Sequence, residues 1–177
     1  MATKIELMNK LIEDCEKIIE SCGYQLPQIK YSLNPKNIRC IGRCKSITNR
    51  MTGAKSDVRI EFTESYFLAY TRLKQYDKIR NTILHEMCHA LPKAINHGSQ
   101  WQQYAYVVGK KSGQNISRLA ETDDVLINMR ESRVKYIIEC QECGKEYTYL
   151  KKPKVANRLS ECKCSVCKSA NLILKTK

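Results

Sequence analysis

The sequence predicts an α+β protein in two parts, on three observations. Apolar residues recur at helical spacing in three stretches, β-forming segments lie between the first two, and the tail carries two CxxC pairs among further β-forming runs. The 177 residues suffice for one compact domain and a small accessory module. Charge and cysteine density change near residue 130, which sets the expected domains at 1–129 and 130–177.

The elements follow in order. Ile5, Met8, Leu11, Ile12, Cys15, Ile18, Ile19 and Cys22 recur three and four apart, predicting a helix over 3–22. Thr3 and Glu6 form a capping-box pattern, and Gly23 suits the position after the helix. QIKYSL, IRCIG and DVRIEF read as strands, with turns at Asn34-Pro35 and Thr52-Gly53. Asp77 is expected to cap a helix running to about Leu91, which Pro92 stops. A third helix is expected from Ser99 to Lys111, near Gly113. After an acidic patch at Glu121, Asp123 and Asp124, YIIECQECGKEYTYL has the composition of a β-hairpin, and CKCSVCKSANLIL closes with a turn and a strand.

Composition narrows the class. With 42% apolar and 28% charged residues the chain is globular, and no apolar run reaches the roughly 18 residues that span a bilayer. The acidic, amphipathic N-terminus lacks the apolar segment of a secretory signal. An intracellular location is therefore expected, with scattered basic residues that do not separate nucleus from cytoplasm. In a reducing compartment ten cysteines read as metal ligands and buried thiols rather than disulfides.

The helix expected over 77–91 contains His85-Glu86-Met87-Cys88-His89. Residues i and i+4 share a helix face, so both imidazoles can reach one ion. Glu86 sits beside the first ligand, placed to take a proton from water as general base and to return it to a departing amine as general acid. The chain has three histidines, and the third, His97, follows eight residues after His89. A turn through 93–96 can return it to the metal, leaving a fourth position open as a catalytic zinc requires. This predicts a zincin-like metalloprotease core of N-terminal helix, small β-sheet and HExxH helix. Glu121 is the alternative third ligand. Cys40 and Cys44 read as buried thiols on strands, Cys88 as packing and Trp101 as core. Tyr104 or Tyr106 is a candidate for stabilising an oxyanion.

HEMCHAL followed by NHGSQW resembles the motif of the SprT-like zinc metalloproteases, Spartan-like proteases among them. CIGRCKSITNR and VRIEFTESYF are similar to that family's cysteine-containing strand and the strand that follows it. WQQYAYVVGKKSGQNISRL is similar to the helix and segment after the third histidine. The interval from His89 to His97 is shorter than in the Spartan members, and the long regulatory tail is missing. The resemblance implies proteolysis of proteins on DNA, including repair of covalent DNA–protein crosslinks.

Cys140-x2-Cys143 and Cys164-x2-Cys167 have the spacing of a four-cysteine zinc ribbon, with Cys162 a rival to Cys164. Two Zn2+ per chain are expected, one catalytic and one structural. The tail over 130–177 holds 12 basic and 5 acidic residues, a charge of +7 that suits a polyanion. Between the cysteine pairs, Lys151, Lys152, Lys154 and Arg158 can neutralise phosphates while Tyr147 and Tyr149 stack on unpaired bases. The expected partners are single-stranded or partly unpaired DNA and protein substrates on it. The competing readings are a DNA-binding protein with an idle zincin domain and a DNA-independent peptidase with a structural ribbon.

Overall fold

A computed structural model of the chain describes residues 3–37, 40–119 and 123–177. The chain divides into two compact units, Met1–Glu121 and Thr122–Lys177.

In the first unit, helix α1 spans Lys4–Ser21. Thr3 Oγ1 accepts from the Glu6 amide at 3.2 Å and Glu6 Oε2 from the Thr3 amide at 2.7 Å, so the capping box is complete. Gly23, at φ +79°, closes the other end. The buried stripe is Met8, Leu11, Ile12, Cys15 and Ile19, whereas Ile5 is exposed. Strands β1 (Ile29–Asn34), β2 (Gly42–Thr48) and β3 (Lys55–Thr63) form a sheet in the order β1-β3-β2. β3 runs parallel to β1 and antiparallel to β2, which leaves β2 on an edge. Val58, Ile60 and Phe62 alternate inward from β3, as DVRIEF predicts.

Helices α2 (Glu64–Arg72), α3 (Tyr76–Ala90) and α4 (Ser99–Ser112) complete the unit. α3 is central and packs on α1, α2, α4 and β2. Its Ile79, Ile83, Leu84, Met87 and Cys88 are buried, and with the α1 stripe they form much of the core. Gln75, not Asp77, precedes the helix, and Asp77 lies in its first turn, where a carboxylate also suits the helix dipole. Leu91 is extended because Pro92 follows it.

Two expectations change. The strand expected at IRCIG begins only at Gly42, with residues 38 and 39 outside the described residues. The segment SYF, expected to continue a strand, lies in α2, where Tyr66, Phe67 and Tyr70 reach the core from one helix face. Aromatic residues suit both states, and a core-facing stripe decided for helix here. The acidic patch, to which the sequence assigns no element, leads at Asp123 and Asp124 into a helix.

That helix, α5 (Asp124–Glu131), opens the second unit, with Asp123 Oδ1 accepting from the Leu126 amide at 2.9 Å. Strands β4 (Tyr136–Cys140), β5 (Glu146–Tyr149) and β6 (Leu172–Thr176) form an antiparallel sheet with β4 in the middle. Two 3-10 turns, Lys154–Asn157 and Leu159–Glu161, lie between β5 and the second cysteine pair. Among the described residues, no helix is long and apolar enough to cross a membrane.

Candidate metal centres

Helix α3 places His85 and His89 one turn apart, and the loop after it brings in His97. Lys93 and Asn96 adopt left-handed conformations (φ +60° and +51°), and the Gly98 amide donates to the Ile95 carbonyl at 3.2 Å, folding 93–97 tightly back. His97 Nε2 then lies 3.1 Å from His85 Nε2 and 3.3 Å from His89 Nε2. A tetrahedral zinc with Zn–N near 2.0–2.1 Å sets nitrogens apart by about 3.3–3.4 Å, so the three side chains fit that ion. His85 Nδ1 faces the Ser117 carbonyl at 3.1 Å. A proton on Nδ1 satisfies that carbonyl and leaves the Nε2 lone pair for a metal. Burial holds His85 down to about 4 and His89 down to about 3, and also lowers His97, so all three are neutral ligands near pH 7.

Glu86, 6% exposed, points to the same cleft from α3. Burial pushes its carboxyl up to about 7, against a hydrogen bond from the Cys44 backbone and the charge of Arg43. Gly42 makes room for it. A Cβ there would stand 2.9 Å from Glu86 Cγ and Oε1 and 3.0 Å from Thr82 Cγ2. The cleft has a volume of about 1090 Å³ and is bounded by β2, the β2–β3 turn, α3 and the loop 93–97. That is at or above the roughly 300–1,000 Å³ of a small-molecule pocket.

Trp101 has a role that sequence reading missed. It is 2% exposed, and its ring centroid lies 4.8, 5.3 and 4.6 Å from those of His85, His89 and His97. The indole thus packs against all three imidazoles. Its spacing, four residues after His97 and in the first turn of α4, was the available signal. Cys44 is half-buried on β2, and its thiol is pushed up to about 12 by burial. Cys40 is half-buried ahead of the strand rather than on it, and both cysteines line the cleft. Cys88 is fully buried in the core. Neither tyrosine considered for an oxyanion lines this cleft: Tyr104 donates to the Pro92 carbonyl at 3.1 Å, and Tyr106 is 62% exposed under the ammonium of Lys110. Glu121, the alternative third ligand, lies outside the described residues.

In the second unit Cys140, Cys143, Cys164 and Cys167 converge, with all four sulfurs within 4.8 Å of one another. Cys140 Sγ lies 3.4 Å from Cys167 Sγ and Cys143 Sγ lies 3.6 Å from Cys164 Sγ. A disulfide needs about 2.05 Å, whereas tetrahedral Zn–S bonds near 2.3 Å separate sulfurs by about 3.8 Å. The two turns are alike. Gly144 (φ +68°) donates to the Cys140 carbonyl at 2.9 Å, and Lys168 (φ +62°) donates to the Cys164 carbonyl at 3.0 Å. Cys162 turns away, its thiol donating to the Arg158 carbonyl at 3.2 Å.

The residues considered for DNA contact are spread along this unit. Lys151, Lys152 and Lys154 are exposed, Arg158 faces Glu161 at 3.8 Å, and Tyr149 is half-buried opposite Tyr136 in the ladder. Tyr147 is half-buried, and its hydroxyl lies 3.4 Å from Cys164 Sγ and accepts from the Ser165 amide at 2.9 Å. That hydroxyl holds the Cys164 thiol below its usual range.

Three converging imidazoles in a mixed α+β unit define, with the family that follows, a metalloprotease-type domain. The SprT-like family model matches residues 4–121, and the chain belongs to the SprT-like family. Comparison with individually curated proteins gives no match.

Proposed function

We propose that the chain is a zinc-dependent endopeptidase of a reducing, intracellular compartment that acts on proteins held on DNA. One observation carries the peptidase reading: three neutral imidazole nitrogens spaced for one ion beside a buried carboxyl in an open cleft. His85, His89 and His97 hold the catalytic zinc, and Cys140, Cys143, Cys164 and Cys167 a structural one. Zinc in the first site supplies Lewis acidity, which makes water a nucleophile near neutral pH.

The chain's own residues supply the rest. Ser117 fixes the tautomer of His85, and Trp101 fixes the rings. Glu86, buried at the cleft beside the histidines, takes a proton from water and passes it to the departing amine. Edge strand β2, lining the cleft over 42–46, offers unpaired ladder groups to an extended substrate. The basic tail, with exposed Lys151, Lys152 and Lys154, supports contact with phosphates. Tethering on DNA raises the local substrate concentration whatever sequence the cleft accepts.

A second reading is a DNA-independent peptidase with a structural ribbon. It is favoured by the commitment of the Tyr147 hydroxyl to Cys164 and of Arg158 to Glu161. One experiment decides: the protein and its Glu86→Gln variant are incubated with a DNA-binding substrate protein, with and without single-stranded DNA. The variant is expected to lose about 10²–10⁴-fold in rate. Cleavage that survives Glu86→Gln refutes the mechanism, and equal cleavage without DNA selects the second reading.

A further inference from the structure

Charge in the cleft is one-sided. Five cations line it, Arg43, Lys45, Arg50, Lys55 and Lys93, against one carboxylate among the described residues, Glu86. Lys45 is offset by Glu61 at 3.0 Å. The other four form no ion pair within 4 Å among the described residues, although the charge of Arg43 acts on Glu61 and Glu86. Lys55 Nζ donates to Thr48 Oγ1 at 2.9 Å and to the Ala94 carbonyl at 3.3 Å, both neutral acceptors.

The backbone fixes the segments that carry two of these cations, Arg50 and Lys93. Asn49 Oδ1 accepts from the amides of Met51 and Thr52, shaping the turn that carries Arg50. Gly53, at φ +73°, accepts from the Lys93 amide at 3.0 Å and ties that turn to the loop after α3. A Cβ at Gly53 would stand 2.4 Å from Lys93 Cγ. Met51 and Ile95, 95% and 63% exposed, add apolar surface at the rim.

On the reading of this cleft as the one that takes the substrate chain, we propose that it selects acidic segments, with Asp or Glu within a few residues of the scissile bond and an apolar residue among them. Carboxylates on the substrate would complement Arg43, Arg50, Lys55 and Lys93. Each exposed pair contributes little, but several add and all weaken with salt. A single-stranded nucleic acid fits less well, because among the described residues no Tyr, Phe or Trp lines the cleft to stack on bases.

The test reads binding by fluorescence anisotropy on the zinc-loaded full chain carrying Glu86→Gln. The probes are one labelled peptide sequence with a central apolar pair flanked by three Asp, three Asn or three Lys. The Asp peptide is expected to bind roughly tenfold tighter than the Asn peptide, with the difference collapsing toward 1 M salt. Adding Arg50→Glu and Lys93→Glu is expected to invert the order in favour of the Lys peptide, a gain that a misfolded protein could not give. Equal affinities, or an Asp preference that survives the reversal, overturn the proposal. So does displacement of the Asp peptide by a single-stranded oligonucleotide whose own binding is lost on reversal, since the cleft then takes nucleic acid. Cleavage by the unmutated protein is measured separately, so a failure there falls on the peptidase reading alone.

Discussion

Trp101 joins the core to the histidine cluster, and as the chain's one tryptophan it reports on that cluster. Cobalt(II), whose open d shell can quench a nearby excited indole, is expected to lower its emission on binding, while closed-shell zinc is not. Emission indifferent to cobalt refutes the histidine site. Glu86 and the histidines also set the acid behaviour of the metal-free protein. As pH falls from 6.5 to 4.5, the unfolded chain protonates His85 and His89 while the folded chain resists, which destabilises the fold. Glu86 acts oppositely: raised to about 7, it binds a proton in the folded chain over a window where the unfolded chain, near 4.5, does not. Two histidines outweigh one carboxyl, so metal-free protein loses stability over this window, and Glu86→Gln steepens the loss. Urea midpoints across pH check this, and a midpoint that rises on acidification contradicts it.

At the scale of elements, the catalytic geometry depends on a strand packed against a helix. Gly42 at the start of β2 leaves space that the Glu86 carboxyl fills from α3. Gly42→Ala is expected to displace the carboxyl and to lower kcat by about 10²-fold, with zinc content unchanged. An unchanged kcat would mean that β2 does not position Glu86. Helices α1, α3 and α4 and the alternation of β3 were legible in the sequence because the apolar period is regular there, joined in α1 by a complete capping box. α2 was not, since Tyr66, Phe67 and Tyr70 carry no caps and follow a strand without a break. α5 was missed because its capping Asp123 stands among other acidic residues, which hides the cap in an acidic patch.

Across the whole molecule, the two units differ in what holds them. The first has an extensive core around α3, whereas the described core of the second is Leu126, Ile138, Cys140 and Cys164, two of them metal-site cysteines. So little apolar burial offsets chain entropy poorly, and metal binding at the four cysteines is expected to contribute most of the folding energy there. Two zinc ions per chain are expected by metal analysis, falling to about one in Cys143→Ser. Full chelation is expected to open 122–177 to limited proteolysis while 3–119 stays protected. Continued protection of the tail after verified zinc loss would refute this.

The sequence by itself determined the candidate ligands: His85, Glu86 and His89 share a helix because spacing and helical period coincide, and paired CxxC turns announce their own cluster. Tertiary structure decided the return of His97, the packing of Trp101 on three imidazoles and the removal of Tyr104 and Tyr106 from the cleft. It also gathered Arg43, Arg50, Lys55 and Lys93, spread over 51 positions of chain, around one cavity. Local periodicity fixes what one element presents. Which elements face one another is set by long-range packing, which no single stretch of sequence encodes.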